Sequence, residues 1–235
     1  MIDSAIAIIP ARYGSTRLPG KPLKEINGKP MIYWVWNEVK KVLPTYVATD
    51  DDRILKVIQS EGGDAILTSK TCLNGTQRVA EALKKLDIYP EVILNIQGDE
   101  PLVRKDDIRN LISLMDNEII EIGTLVTSAS LSDLKSINNC FVDRTDMGIC
   151  REFSRDPKSF TQKPYRHVGM YGFRSDVLFK LVELEPTIRE KKEKLEQLRW
   201  LENGYTIHSS IIKTPGLGVD TDEDLKIIKR IMEKK

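Results

Sequence analysis

The chain has 235 residues, long enough to bury a substantial core, and its 36 Lys and Arg face 35 Asp and Glu for a formal net charge of +1. A balance this close to neutral gives no bulk field to gather nucleic acid or an anionic membrane, so any anion site must be local. Three cysteines, Cys72, Cys140 and Cys150, in neither C-x-x-C nor Cys/His ligand spacing argue against a disulfide framework or a structural zinc.

The opening residues carry no basic segment followed by a long apolar one, and no apolar run approaches the roughly 20 residues that span a bilayer. A protein of the reducing cytoplasm is expected. From the N-terminus, short apolar runs rich in β-branched residues at 5–9, 46–48, 65–67 and 92–96 predict strands. Amphipathic stretches at 30–41, 53–61 and 76–86 predict the helices between them. Strands with continuous apolar runs, joined by helical crossovers, imply a mostly parallel sheet in a three-layer, doubly wound α/β (Rossmann-like) fold. A helix at 105–115 and a strand at 122–126 follow. Residues 128–165 hold Ser, Asp, Asn, Pro and Lys with little apolar period, and predict an excursion or lid over the site. Strands resume at 167–173 and 207–212, with a Glu/Lys/Leu-rich helix at 188–203 between them and a last helix at 222–232. One domain over 1–235 is expected.

In such a fold ligands bind beyond the carboxyl ends of the strands. The loop from Pro10 to Pro22 follows the first strand and combines Gly14 and Gly20 with Arg12, Arg17 and Lys21. Guanidinium groups match phosphate oxygens bidentately and the lysine adds a movable charge, so the loop suits a polyphosphate. A merely basic surface loop is the competing reading. It is not a Walker A loop, because Pro22 stands where Ser or Thr would hold magnesium, and it is not G-x-G-x-x-G. After the strand at 92–96, Gln97-Gly98-Asp99-Glu100-Pro101 offers Asp99 as a Mg²⁺ ligand, with Asp220 of Gly218-Val219-Asp220-Thr221 as its partner. Helix capping explains Asp220 or Thr221 at least as well. A third loop, Thr68 to Arg78, places small polar groups beside Gly75 and Arg78, where they could read a base and ribose; capping explains Thr76 equally well.

These segments, taken in order, closely resemble the 3-deoxy-manno-octulosonate (Kdo) cytidylyltransferases over nearly the whole chain. The most specific blocks are Ile9-Pro10-Ala11-Arg12-Tyr13-Gly14-Ser15-Thr16-Arg17-Leu18-Pro19-Gly20-Lys21-Pro22-Leu23, Val47-Ala48-Thr49-Asp50-Asp51, Asn95-Ile96-Gln97-Gly98-Asp99-Glu100-Pro101-Leu102, Arg166-His167-Val168-Gly169-Met170-Tyr171, Leu195-Glu196-Gln197-Leu198-Arg199 and Gly218-Val219-Asp220-Thr221. The resemblance implies an enzyme that transfers CMP from CTP to an acidic sugar, for lipopolysaccharide synthesis. It implies that Arg12 and Lys21 hold the CTP phosphates, with Asp99, catalytic too, and Asp220 on Mg²⁺. Ala11, Gly14, Thr68, Gly75, Thr76, Arg78 and Gln97 would then lie near the nucleotide. Arg17, Gln97, Arg155, His167, Tyr171, Glu196 and Gln197 would meet the sugar. A homodimer is implied as well.

The likeness is loosest at Asn139-Cys140-Phe141-Val142 and Glu152-Phe153-Ser154-Arg155-Asp156-Pro157-Lys158-Ser159, and Asn74 stands where the family usually has Ser. The charges at Asp156 and Lys158 either shift the acceptor toward another acid such as 8-amino-Kdo or are neutral loop drift. Two sister classes fit less well. Sugar-1-phosphate nucleotidyltransferases carry a Gly-rich loop absent here, and N-acylneuraminate enzymes usually read Arg-x-Gly-Ser-Lys. A nucleotide-binding protein without turnover is weighed against by the intact Asp99 and Asp220.

Overall fold

The computed structural model describes residues 4–15, 17–136, 138–213 and 216–234. The N-terminal residues 1–3, and Thr16 of the basic loop, both used in the sequence reading, lie outside them. In chain order the elements are β1 (Ala5–Ala11), β2 (Glu25–Ile26), β3 (Lys29–Pro30), α1 (Met31–Val39), β4 (Thr45–Thr49), α2 (Asp52–Ser60), β5 (Asp64–Leu67), α3 (Gly75–Leu86), β6 (Val92–Asn95), α4 (Lys105–Met115) and β7 (Ile122–Ser128). There follow β8 (Phe141–Arg144), β9 (Ile149–Ser154), β10 (Tyr165–Arg174), α5 (Ser175–Val182), α6 (Ile188–Glu193), α7 (Gln197–Glu202), β11 (Ile207–Ile211) and α8 (Asp222–Met232). The described residues fall into two compact units, one of 4–109 and 216–234, the other of 110–213. No described helix is long and apolar enough to cross a membrane.

In the first unit, β5, β4, β1 and β6 lie side by side in that order and run parallel. Ala7, Ile8 and Ile9 are fully buried, as a strand covered on both faces requires. The crossovers β1–α1–β4 and β4–α2–β5 step outward in one direction, and β5–α3–β6 steps back past β4 and β1. Since such crossovers are right-handed, α3 lies on the opposite face from α1 and α2, and the winding reverses between β1 and β6. Asp51 caps α2 by accepting from the Arg53 N–H, and Asn74 caps α3 by accepting from the Gln77 N–H at 2.8 Å. Asn in place of the family's Ser therefore keeps the capping function, and it is Asn74, not Thr76, that caps. From the chain's far end, α8 packs Leu225 and Ile228 with Leu18, Ile26, Met31 and Val219 into one buried cluster.

In the second unit, β7 pairs with β10 antiparallel and with β11 parallel. The sheet continues antiparallel through β9 to β8, and β8 also pairs with the start of β10. The mostly parallel character is thus confined to the first unit. Between Val168 and Tyr171 the β10 register slips, so Val168 faces Leu125 while Tyr171 faces the adjoining Thr124. Two extra residues, Gly169 and Met170, are accommodated in that bulge. An even insertion preserves alternation, which leaves His167, Tyr171 and Phe173 opposite Val126, Thr124 and Ile122 on one face.

Three sequence expectations change here. The stretch 128–165 is not merely a covering excursion: it supplies β8 and β9, with Phe141, Val142 and Phe153 fully buried. Its strands are short and their solvent-facing residues polar, which hides the period. The helix expected over 188–203 is two helices, broken at Lys194, which adopts a left-handed φ of 55°. Good helix formers fill the break, so composition masks it. The apolar spacing of Val177, Leu178 and Leu181 forms α5, an element with no counterpart in the sequence reading. Phe153→Ala should cost about 3–5 kcal/mol in urea unfolding. A change within roughly 0.5 kcal/mol would return 128–165 to the status of a surface cover.

Candidate active site

The Pro10–Pro22 loop leaves β1 at the reversal of the winding and is held at several points. Asp50, at the carboxyl end of β4, accepts the Tyr13 N–H at 3.0 Å. Asp50 also pairs at 3.1 Å with Arg78, whose side chain is only 3% exposed. Arg78 further donates to Thr68 Oγ1 at 2.6 Å and to the Ser69 carbonyl. Thr68 Oγ1 in turn donates to the Thr49 carbonyl. The Arg53 guanidinium stacks 3.6 Å from the centre of the Tyr13 ring. Gly20 closes the loop with φ of 65°, and its N–H bonds the Tyr13 carbonyl. Arg12, Gly14 and Arg17 are exposed along the loop. Arg78 and Thr68, expected at the nucleotide, thus brace the basic loop through Asp50 and the main chain.

Lys21 is half-buried behind the loop. Its Nζ donates to Asp99 Oδ2 at 2.6 Å and to Asp220 Oδ1 at 3.1 Å, and Arg17 reaches Asp220 Oδ2 at 3.1 Å. Burial by itself lowers the Lys21 pKa, but Asp99 and then Asp220 outweigh it and hold the ammonium above its ordinary value. A main-chain bond from the Val219 N–H to the Asp99 carbonyl, 2.9 Å long, sets the two aspartates side by side. The capping alternative for Asp220 is resolved: Thr221 and Asp224 form the capping box of α8, and the Asp220 carboxylate turns to the cations. Two carboxylates converging on one cation are a donor set that also fits magnesium, which takes one or two protein carboxylates and completes its shell with water and phosphate oxygens. No group of three or more His, Cys, Asp or Glu suited to a metal occurs among the described residues, so an all-protein cage is absent there.

Beside this cluster, Ala11 ends β1 buried, and Gly98 packs so tightly that a Cβ would meet the Pro10 carbonyl oxygen at 3.0 Å. Gly75 opens α3 near the Gln97 amide, which donates weakly to Asn95 Oδ1 at 3.4 Å. Thr76 is buried behind it.

The second unit carries the other expected residues. His167 lies edge-on to Phe153 with ring centres 5.4 Å apart, and 5.3 Å from Tyr171. Trp200 of α7 closes edge-on over Tyr171 and Phe173. Burial pushes the His167 pKa down to about 3 and the Tyr171 phenol well up, so both are neutral. The Tyr171 hydroxyl is buried without a hydrogen-bond partner among the described residues, which costs about 1–3 kcal/mol. An orphan of this kind is uncommon in a folded chain and marks the hydroxyl as a candidate ligand contact. Gln197 is buried and donates to Cys140 Sγ at 3.4 Å, whereas Glu196 pairs with Arg199 at 2.9 Å. Arg155, expected at the sugar, donates its guanidinium to the carbonyls of Asn138, Glu193 and Lys194 and so clamps the break between α6 and α7. Sequence reasoning passed over Asp50, although an acid after a strand was the signal that found Asp99. Thr124, which contacts His167, sits inside a strand where nothing in the sequence marks it.

The family model described as Cytidylyltransferase matches residues 6–207. The 3-deoxy-manno-octulosonate cytidylyltransferase of Porphyromonas gingivalis is 38% identical over 96% of this chain and 95% of its own length. The enzyme of the same name from Fusobacterium nucleatum is 41% identical over 97% of each. A solved CMP:2-keto-3-deoxy-manno-octonic acid synthetase complexed with CTP superposes with a TM-score of 0.93 at 35% identity, covering 99% of both chains.

Arg78→Met leaves the Asp50 carboxylate buried without its cation and should destabilise the chain by about 3–5 kcal/mol in urea unfolding. Arg53→Met, at an exposed pair, should cost under about 1 kcal/mol. Equal losses would remove Arg78 as the brace.

Proposed function

The chain belongs to the 3-deoxy-manno-octulosonate cytidylyltransferase family, within the cytidylyltransferases, and on that premise we propose how its residues carry CMP from CTP to the anomeric hydroxyl of Kdo with release of pyrophosphate. The enzyme is a nucleotidyltransferase, and its CMP-sugar serves lipopolysaccharide synthesis. One observation carries the assignment of roles: Lys21 bridges Asp99 and Asp220 beside the basic loop, where the winding of the parallel strands reverses.

In the proposed reaction Arg12 and Lys21 bind the triphosphate, and Asp99 and Asp220 would hold Mg²⁺. The ion supplies charge neutralisation to the polyphosphate when bound. Arg12 and Lys21 counter the charge that builds on the departing pyrophosphate as the sugar hydroxyl attacks the α-phosphorus in line. No covalent intermediate on the protein is required. Ala11, Gly14 and Gly75 let backbone approach the nucleotide, with Thr76 and Gln97 beside it. Thr68 and Arg78 act one layer behind, through Asp50 and the loop. The neutral His167, the unpartnered Tyr171 hydroxyl, Glu196 and Gln197 orient the sugar acid. Arg17 is assigned to the Asp220 side of the nucleotide site, where its ion pair lies, and Arg155 to holding the α6–α7 turn.

Kdo is favoured over an amino relative because the departing segment is engaged with itself. Asp156 accepts the Lys158 N–H at 2.9 Å, and both residues are exposed, which supports loop drift at this point. A cytoplasmic homodimer belongs to the same proposal, supported by the family resemblance and by three cysteines that are all free thiols.

Pyrophosphate release from CTP should be supported by Kdo and by neither 8-amino-Kdo nor N-acetylneuraminate at comparable concentration. Turnover with only a non-Kdo sugar overturns the acceptor assignment. Asp99→Asn and Asp220→Asn should each bind CTP in calorimetry and lose about 10²–10³ in kcat at ordinary magnesium. Undiminished turnover removes that residue from the metal site.

A further inference from the structure

The bulge in β10 brings the main-chain carbonyls of Val168 and Met170 within reach of one side chain on the neighbouring strand. Thr124, fully buried on β7, answers them: its hydroxyl lies 2.8 Å from the Met170 oxygen and 3.4 Å from the Val168 oxygen. The same oxygen is 2.9 Å from His167 Nε2. A hydroxyl carries one proton. If that proton pointed to His167, two oxygens would face each other at 2.8 Å with no hydrogen between them, a repulsive arrangement in a buried setting. The proton therefore lies toward Met170, and the Thr124 oxygen is an acceptor for His167.

We propose that Thr124 is a positioning residue which fixes His167 as the Nε2–H tautomer, so that the imidazole meets the sugar acid through Nδ1 as a hydrogen-bond acceptor. Nδ1 has no hydrogen-bond partner among the described residues, while Phe153 and Tyr171 hold the ring plane from two sides. Burial keeps the ring uncharged, with its pKa down at about 3, so Nδ1 retains its lone pair through the physiological range. A neutral acceptor accepts from a sugar hydroxyl and repels a carboxylate, so the residue discriminates between the two ends of a sugar acid. The role for the sugar rests on the proposed placement of the acceptor at His167; the tautomer does not.

The chain has two histidines, which makes the imidazole nitrogen spectrum tractable. Long-range proton–nitrogen correlation on the whole protein, with His208→Asn to assign the signals, should show His167 Nε2 protonated and Nδ1 unprotonated from pH 5.5 to 8, before any sugar is added. Thr124→Val, similar in shape without the hydroxyl, should give a mixture of tautomers and raise the KM for the sugar about tenfold with the KM for CTP unchanged. Thr124→Ser should restore both. Protonation of Nδ1 in the unsubstituted protein overturns the proposal without any variant having to fold. A tautomer that shifts in Thr124→Val while the sugar KM stays fixed overturns the contact with the sugar and leaves the cytidylyltransferase reading intact. Absence of turnover with CTP and Kdo in the unsubstituted protein fails that reading instead, and the nitrogen spectrum still decides the tautomer.

Discussion

Asp99 and Asp220 lie more than a hundred positions apart in the chain, yet their carboxylates share the ammonium of Lys21. Two negative charges at that separation in a half-buried site repel, and a cation between them is what makes the arrangement tenable. The rest of the first unit is organised so that this can happen. β6 delivers Asp99 at its carboxyl end, the basic loop delivers Lys21 after β1, and the bond from Val219 to the Asp99 carbonyl sets Asp220 alongside. The buried cluster beneath α8 anchors the returning chain, and the capping box releases Asp220 from any duty at the helix terminus.

A second constraint holds the basic loop in place. Asp50 and Arg78 form a buried pair whose remaining valences are met by Tyr13, Thr68 and Ser69. A buried ion pair is stabilising only when its other donors and acceptors are also satisfied, and here they tie the carboxyl ends of β4 and β5 to the loop after β1. The exposed arginines of the loop are thereby presented on a backbone fixed from behind, which would limit the ordering cost of the triphosphate binding proposed for them.

The second unit works by a different principle. On β10 the ring-bearing residues His167 and Tyr171 are neutral, and their polar atoms are either held by a local bond, as His167 is by Thr124, or left open, as the Tyr171 hydroxyl is. An even-numbered bulge keeps His167, Tyr171 and Phe173 on one face while bending the strand that carries them. On the proposed roles, phosphate handling would rely on charge and acceptor handling on directional bonds.

Residue order alone carried the parallel strands of the first unit, the basic loop and the acids that follow strands, because strand periodicity, glycine placement and charge are local properties of the chain. It also carried the family blocks that name the reaction. What a side chain does once the chain is folded depends on neighbours remote in sequence. Arg78 and Arg155 read as ligand-binding cations, and only the fold shows that they also hold Asp50 and main-chain carbonyls. Thr124 reads as one strand residue among many until the slipped register of β10 sets it against His167. The strands within 128–165 and the break at Lys194 escaped for the same reason: burial against distant partners, and a left-handed turn hidden in helix-forming composition, leave no periodic trace. Residue types and local pattern therefore determined the chemistry available to this protein, and tertiary packing alone decided which of its charged and polar groups were left free to perform it.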